Sequence, residues 1–319
     1  MELFMKEIED ERYKQLMEET TSQINDICVY GQYLLDLINT SENNKYSDTI
    51  ILFLFRELLE TADGIMSLLK GSSINISTIL FRNMFELSLS INYIFLDEDM
   101  IEKRALSYEV NSIHERIAMY EKLNTENEEH ENFRRIIGED IINTFDSERL
   151  NSATENLRSM FEKYPEYSVV DEDRTRKKDE INLRRRQRGF SDLDPKWYQI
   201  YSEASNIRRL SKLLDMERYY LILYNQWSNK VHGGAAMSGF RIVDNEPVIL
   251  NPKVPESSKD IPEKLELLQT FMSDCYRHIC KYFLTDDDCQ NMGIWHFSMR
   301  EKESEIREHW SKIEFKYEN

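Results

Sequence analysis

Arg82 and Glu86 are the two charged residues in GSSINISTILFRNMFELSLSINYIFL, the otherwise uncharged stretch from Gly71 to Leu96. At about 100° per residue, a four-residue step puts their side chains roughly 40° apart on one helical face. Thr78, Ile79, Leu89 and Tyr93 surround them on that reading. A helix with apolar residues on every side belongs in a core, and ionised groups carried there have to be paired. The pair therefore reads in two ways. It is either a structural lock on helix register or part of a site, where a guanidinium stabilises negative charge and a carboxylate orients it.

A second group lies in YYLILYNQWSNKVHGG, from Tyr219 to Gly234. On a helix, Asn225, Ser228, Asn229 and His232 share one stripe. His232 falls in the last turn before Gly233 and Gly234, where free carbonyls favour the imidazolium form. A histidine so placed can give or take a proton near neutral pH. The plainer alternative is a terminal histidine that bonds a carbonyl. Tyr224, Asn225, Asn229 and Tyr93 are the candidates for ligand contacts.

The elements that must position these groups are mostly helices. Leu3–Ile38 reads as one amphipathic helix and Tyr46–Lys70 as a second, ended by Gly71. The Gly71–Leu96 helix follows, then a polar helix opened by Asp97, and shorter charged helices over Arg135–Ile142 and Ser147–Tyr164. Tyr164–Asp173 reads as a loop. Helices resume near Lys196 and again after Asp215, a candidate N-cap, through His232. Phe240–Leu250 (FRIVDNEPVIL) is a β-hairpin candidate, and helices over Pro262–Leu284 and Trp295–Phe315 complete the chain. The expected fold class is mainly α, a single large helical bundle over 1–319 with one small hairpin at 240–250 and a basic insertion at 164–195.

That insertion carries RTRKKDEINLRRRQR, Arg174–Arg188, with eight basic and two acidic residues. Arg184, Arg185, Arg186 and Arg188 are its candidates for phosphate contacts with nucleic acid. It lacks interleaved aromatics, so base stacking is not indicated. A solvated basic helix answering acidic neighbours is the alternative.

The remaining totals narrow the classes. Acidic residues outnumber basic ones by 59 to 41, a net charge of −18 over 319 residues, so the surface at large repels nucleic acid and anionic membrane. Nine glycines and six prolines are few for this length, which favours helix. The N-terminus has no uninterrupted apolar run of the signal-peptide kind and no window suits a membrane span, so the expected location is the cytoplasm. The four cysteines are scattered, and a reduced state follows. Cys275-x-x-His278-x-Cys280 with Cys289 has the wrong spacing for zinc knuckles and reads as core cysteines beside a surface histidine. No metal is expected, and phosphate loops and nucleophile elbows are absent.

The pairing of ILFRNMFELSLSINYIF (Ile79–Phe95) with YYLILYNQWSNKVHGG resembles a large uncharacterised bacterial family, a domain-of-unknown-function group. Its members join Arg-x-x-x-Glu to Tyr-x-x-x-Ser-x-x-x-His-Gly. The resemblance runs from roughly Tyr46 to Leu284. That family is in turn similar to the HEPN superfamily (higher eukaryotes and prokaryotes nucleotide-binding), all-α bundles that are often metal-independent ribonucleases of toxin and antiviral defence systems. The usual HEPN motif sets an arginine and then, after four to six intervening residues, the histidine. Here Trp227, Gln226 and Asn225 hold those offsets, so the cation has to come from Arg82.

The resemblance implies an RNA partner, no cofactor, and a homodimer or a subunit of a larger complex. It implies His232 as general acid or base, Arg82 as the charge stabiliser, Glu86 as its orienter, and Ser228 or Tyr224 bonding the phosphate. A reading from another class is a non-catalytic nucleotide- or ligand-binding sensor or scaffold. A purely structural bundle is the third.

Overall fold

The apolar residues of Glu11–Asn39 recur three and four apart, and this spacing makes α1 an amphipathic helix with Leu16, Ile24, Ile27, Leu34 and Ile38 buried. Asp10 caps it, accepting from the Arg12 and Tyr13 amides at 2.9 and 3.2 Å. The computed structural model describes residues 10–39, 45–124, 130–224, 240–243, 245–249, 255 and 257–313. Over these the chain is mainly helical. The described residues group into two compact units, one drawn from 10–39, 51–95 and 211–313, the other from 45–50 and 96–210.

In the first unit, α2 (Tyr46–Lys70) contributes Ile51, Leu54, Phe55, Leu58 and Ile65 to the core. The expected stop at Gly71 is real, but the left-handed residue is Ser72, at φ 53°. The Ser73 amide reaches the Leu68 carbonyl at 2.7 Å and the Ser72 amide reaches Leu69 at 2.8 Å. This is a Schellman closure with serine in the position that usually takes glycine. α3 (Ile74–Ile94) follows at once.

α3 packs on the long helix Asp260–Phe283, and that helix packs on Asp286–Ser311 and on α1. Leu265, Leu268, Phe271, Met272, Cys275, Tyr276 and Ile279 form the buried stripe of Asp260–Phe283. Polar side chains tie the helices where no water reaches. The Tyr276 hydroxyl donates to the Ile27 carbonyl at 2.7 Å, and Trp310 Nε1 donates to Thr20 Oγ1 at 3.0 Å. Asp286–Ser311 opens with a capping box between Thr285 and Asp288. Phe240–Val243 and Glu246–Ile249 pair antiparallel, Phe240 opposite Ile249 and Val243 opposite Glu246, with Asn245 at φ 66° between them.

The second unit is built on α4 (Ile101–Leu123), against which α7 (Ser147–Lys163), α8 (Pro165–Arg186) and the 3-10 turn Trp197–Gln199 pack. The shorter α5 (Glu131–Ile137) and α6 (Glu139–Ile142) join α4 to α7. The expected loop at Tyr164–Asp173 is instead the first half of α8. Pro165 sits at its N-terminal position, where a missing amide costs nothing, and Tyr167 and Val170 are buried.

Next along the chain, α9 is Ile207–Leu213. Asp215 is not the N-cap expected of it. It stands at φ 57° as the closing residue of α9, with the Met216 amide on Ser211 at 2.7 Å and its own amide on Lys212 at 3.2 Å. Met216 precedes the short α10 (Glu217–Tyr219), which passes into a π turn over Tyr220–Tyr224.

Candidate functional site

α3 carries Phe81, Met84, Phe85, Ser88 and Leu89 on its buried face. Arg82 and Glu86 project from its flank. The expectation of a helix buried all round needs correcting there, since Ile76 and Ile79 stand exposed. The Arg82 and Glu86 side chains are 25 % and 36 % exposed. An ion pair at a partly open surface is reachable by a ligand, which a sealed pair is not.

The pair is joined by a third group. Arg82 Nε donates to Glu86 Oε1 at 3.0 Å, and Arg82 Nη2 donates to the Tyr224 hydroxyl at 3.0 Å. The same hydroxyl donates to Glu86 Oε1 at 2.9 Å, closing a ring of three hydrogen bonds. The guanidinium carbon also lies 5.0 Å from the centre of the Tyr224 ring. Tyr224 belongs to the π turn, and Tyr220 stacks on it with centroids 4.8 Å apart and planes 20° apart. In a regular α-helix residues i and i+4 are neighbours at a slant; widening the turn alters how the two rings meet. Phe85 packs against Tyr224 from the α3 side, at 6.0 Å.

Charge follows from this geometry. Burial alone works against the Arg82 cation, but the bonds and charge of Glu86 and Tyr224 outweigh it, and the guanidinium is held more firmly protonated than usual. Burial, then the Glu86 carboxylate, raises the Tyr224 phenol above its ordinary range. The hydroxyl therefore stays protonated and keeps donating at neutral pH. The cluster offers one fixed cation, one carboxylate and one phenol, a set suited to orienting a polar ligand or an anionic oxygen.

Of the other expected site residues, Asn225, Ser228, Asn229 and His232 lie outside the described residues. Tyr93 is fully buried. It stands eleven residues beyond Arg82, about 16 Å along α3, and belongs to the core rather than to the cluster. The basic candidates are on α8 and in the turn after it. Arg184 bonds Glu180 at 2.5 Å, Arg186 Nε bonds Asp192 at 2.7 Å, and Arg185 donates to the Ser191 carbonyl at 2.7 Å while lying over the Phe190 ring. Arg188 is exposed. Upstream, Arg174 pairs with Asp194 at 3.0 Å and Lys177 with Glu203 at 2.6 Å. Much of the positive run is thus answered by carboxylates of its own unit.

His278, expected at the surface, is half-buried. Its Nε2 lies 3.1 Å from Asn92 Oδ1 and its ring stacks on Phe95. Burial, helped by Arg277 and Lys281, pushes its pKa down to about 4. Cys275 and Cys280 are fully buried, and burial pushes both thiols up to about 12. What the residue types alone did not point out is Tyr220, the stacking partner of Tyr224; the Tyr-x-x-x-Tyr spacing was the available signal.

No helix among the described residues is long and apolar enough to cross a membrane. A family model described as a family of unknown function, DUF5677, matches residues 48–247. No curated protein and no solved structure matches the chain.

Proposed function

The chain belongs to the DUF5677 family of unknown function, and for it we propose a HEPN-like helical protein that cleaves RNA without a metal. It works in the cytoplasm as a homodimer, in toxin or antiviral defence. The observation that carries this is the Arg82–Glu86–Tyr224 ring. It joins the first signature segment to the second, whose further signature residues Ser228 and His232 follow Tyr224 within eight positions.

In this reading a ribose 2′-oxygen attacks the adjacent phosphorus, forming a 2′,3′-cyclic phosphate as the bond to the 5′-oxygen breaks. The 2′-proton passes to a base, and the 5′-oxygen receives a proton from an acid; His232 serves one of these steps. Arg82 stabilises the charge that grows on the phosphorane-like oxygens, and Glu86 holds its plane in place. Tyr224 donates to a phosphate oxygen by exchanging its bond to Glu86.

The test is incubation of purified protein with total RNA and with tRNA in EDTA. Cleavage above the level of a His232→Ala control, falling about 100-fold in Arg82→Ala, is the expected result. Wild-type cleavage no greater than that of the control removes the enzyme.

One observation favours a second reading, a non-catalytic nucleotide- or ligand-binding sensor or scaffold. Glu86 already matches the charge of Arg82 at 3.0 Å, and such a matched pair suits a neutral polar ligand as well as an anion. A nucleotide that raises the melting temperature without turnover, and ceases to in Arg82→Ala, selects this reading.

A further inference from the structure

The first unit holds a polar hollow that Arg82 does not line. Its volume is about 380 Å³, and α10, the helix Asp260–Phe283 (α11) and the helix Asp286–Ser311 (α12) form its walls. On α11, Ser273, Asp274 and Arg277 face it from successive turns, and on α12 Gly293, His296 and Arg300 do the same. Arg218 and Tyr219 form the third side. A helix pair that otherwise buries Leu268, Phe271 and Tyr276 thus turns a polar flank to this one place.

Two features distinguish the hollow from an incidental gap. The first is charge. Arg218, Arg277 and Arg300 line it, and Arg307 lies just behind, where it pairs with both Glu266 and Glu303. Four guanidiniums therefore meet three carboxylates, Glu266, Asp274 and Glu303, in a chain where acids outnumber bases by 59 to 41. Asp274 accepts from Arg277 at 3.1 Å and so fixes the direction of that guanidinium. Arg300 is set by Glu303 at 2.7 Å.

The second feature is Gly293. A Cβ added there would meet no atom within 4 Å. No neighbour demands glycine in the interior of α12, where it weakens a helix; its effect is to keep this wall low.

We propose that this hollow binds a phosphate monoester, its phosphate gripped by Arg218, Arg277 and Arg300 and its organic body set against Tyr219 and Met292. Guanidiniums match phosphate oxygens two at a time. Ser273 and His296, already joined at 2.8 Å, supply a neutral polar floor. Burial, then Arg300, holds the His296 ring below its usual pKa. The grip is therefore electrostatic at the rim and hydrogen-bonding within. It stands independently of any chemistry at Arg82.

Calorimetric titration with ribose 5-phosphate, inorganic phosphate and uncharged ribose tests this. Ribose 5-phosphate should bind, with inorganic phosphate weaker and ribose silent. Arg218→Gln with Arg277→Gln should weaken binding at least tenfold, and Gly293→Leu should abolish it by filling the hollow. Arg82→Ala should leave it unchanged. In the wild-type protein alone, affinity should fall several-fold from about 50 to about 200 mM salt. No heat from ribose 5-phosphate at millimolar concentration overturns the proposal. So does salt-insensitive binding, binding that survives the double substitution or is lost in Arg82→Ala, or inorganic phosphate binding as tightly as the sugar phosphate.

Discussion

The Tyr224 hydroxyl donates to Glu86 Oε1 at 2.9 Å, across 138 positions of sequence. It also accepts from Arg82 at 3.0 Å, so one phenol satisfies both ends of the ion pair. Tyr224→Phe keeps the ring and its contacts with Phe85 and Tyr220 but deletes both bonds. The surroundings are partly open, so water recovers part of the loss. A cost of about 1 kcal/mol is expected, a drop of about 2–4 °C in melting temperature. A double-mutant cycle with Glu86→Gln should show a coupling of at least about 0.5 kcal/mol. Additive effects would mean that the ring is not a unit.

His278 gives the protein an acid-sensitive limb. Its folded pKa is pushed down to about 4 from an ordinary 6.5. Between those values the unfolded chain binds a proton that the folded one refuses. The stabilisation is full above about pH 6.5 and is lost as pH falls toward 4. At most it amounts to about 3 kcal/mol, less where water screens the ring. Urea midpoints at pH 7 and pH 5 should therefore differ in the wild type. His278→Phe, which keeps the stack on Phe95, should narrow that difference, the half-buried His296 contributing to what remains.

The helices with a clear apolar stripe, α1, α2 and α11, are legible in the sequence because burial of one face is a local signal with a fixed period. Helix ends are less so. Ser72 and Asp215 both take left-handed closing positions, though neither is glycine, because in each case the residue's own amide and the next one each bond a carbonyl of the last turn and offset the backbone cost. The loop reading of Tyr164–Asp173 failed for a related reason. A proline before a polar run looks like a break, yet at the first helical position it starts the helix. The Arg82–Glu86 pairing follows from spacing alone. Its third member does not, since contact between residues 86 and 224 depends on how α3 meets the π turn.

Two glycines should respond in opposite directions to alanine. A Cβ on Gly31, inside α1, would overlap Leu59 Cδ2 and the Tyr276 hydroxyl, which is itself committed to Ile27. Helix propensity favours alanine by about 1 kcal/mol, but that overlap disturbs a fully packed core. Gly31→Ala should destabilise by about 2 kcal/mol. Gly293→Ala meets nothing and should stabilise by up to about 1 kcal/mol. Chemical denaturation of the two variants side by side decides it; equal signs would contradict the packing described.

The basic helix α8 separates structural from solvated charge along one element. Arg174 is buried, its side chain 7 % exposed, and donates to Asp194 at 3.0 Å. Lys178 holds the same carboxylate at 2.9 Å. Arg174→Ala thus leaves Asp194 paired but empties the space around a long aliphatic stem and deletes a charged hydrogen bond, a loss of about 2 kcal/mol. Arg184 and Arg186 make ion pairs of comparable length at the surface, with Glu180 and Asp192, yet both are exposed and their partners regain water on truncation. Arg184→Ala and Arg186→Ala should leave the melting temperature unchanged at about 0.15 M salt, while Arg174→Ala lowers it by several degrees. If all three variants melt alike, burial is not what ranks these arginines.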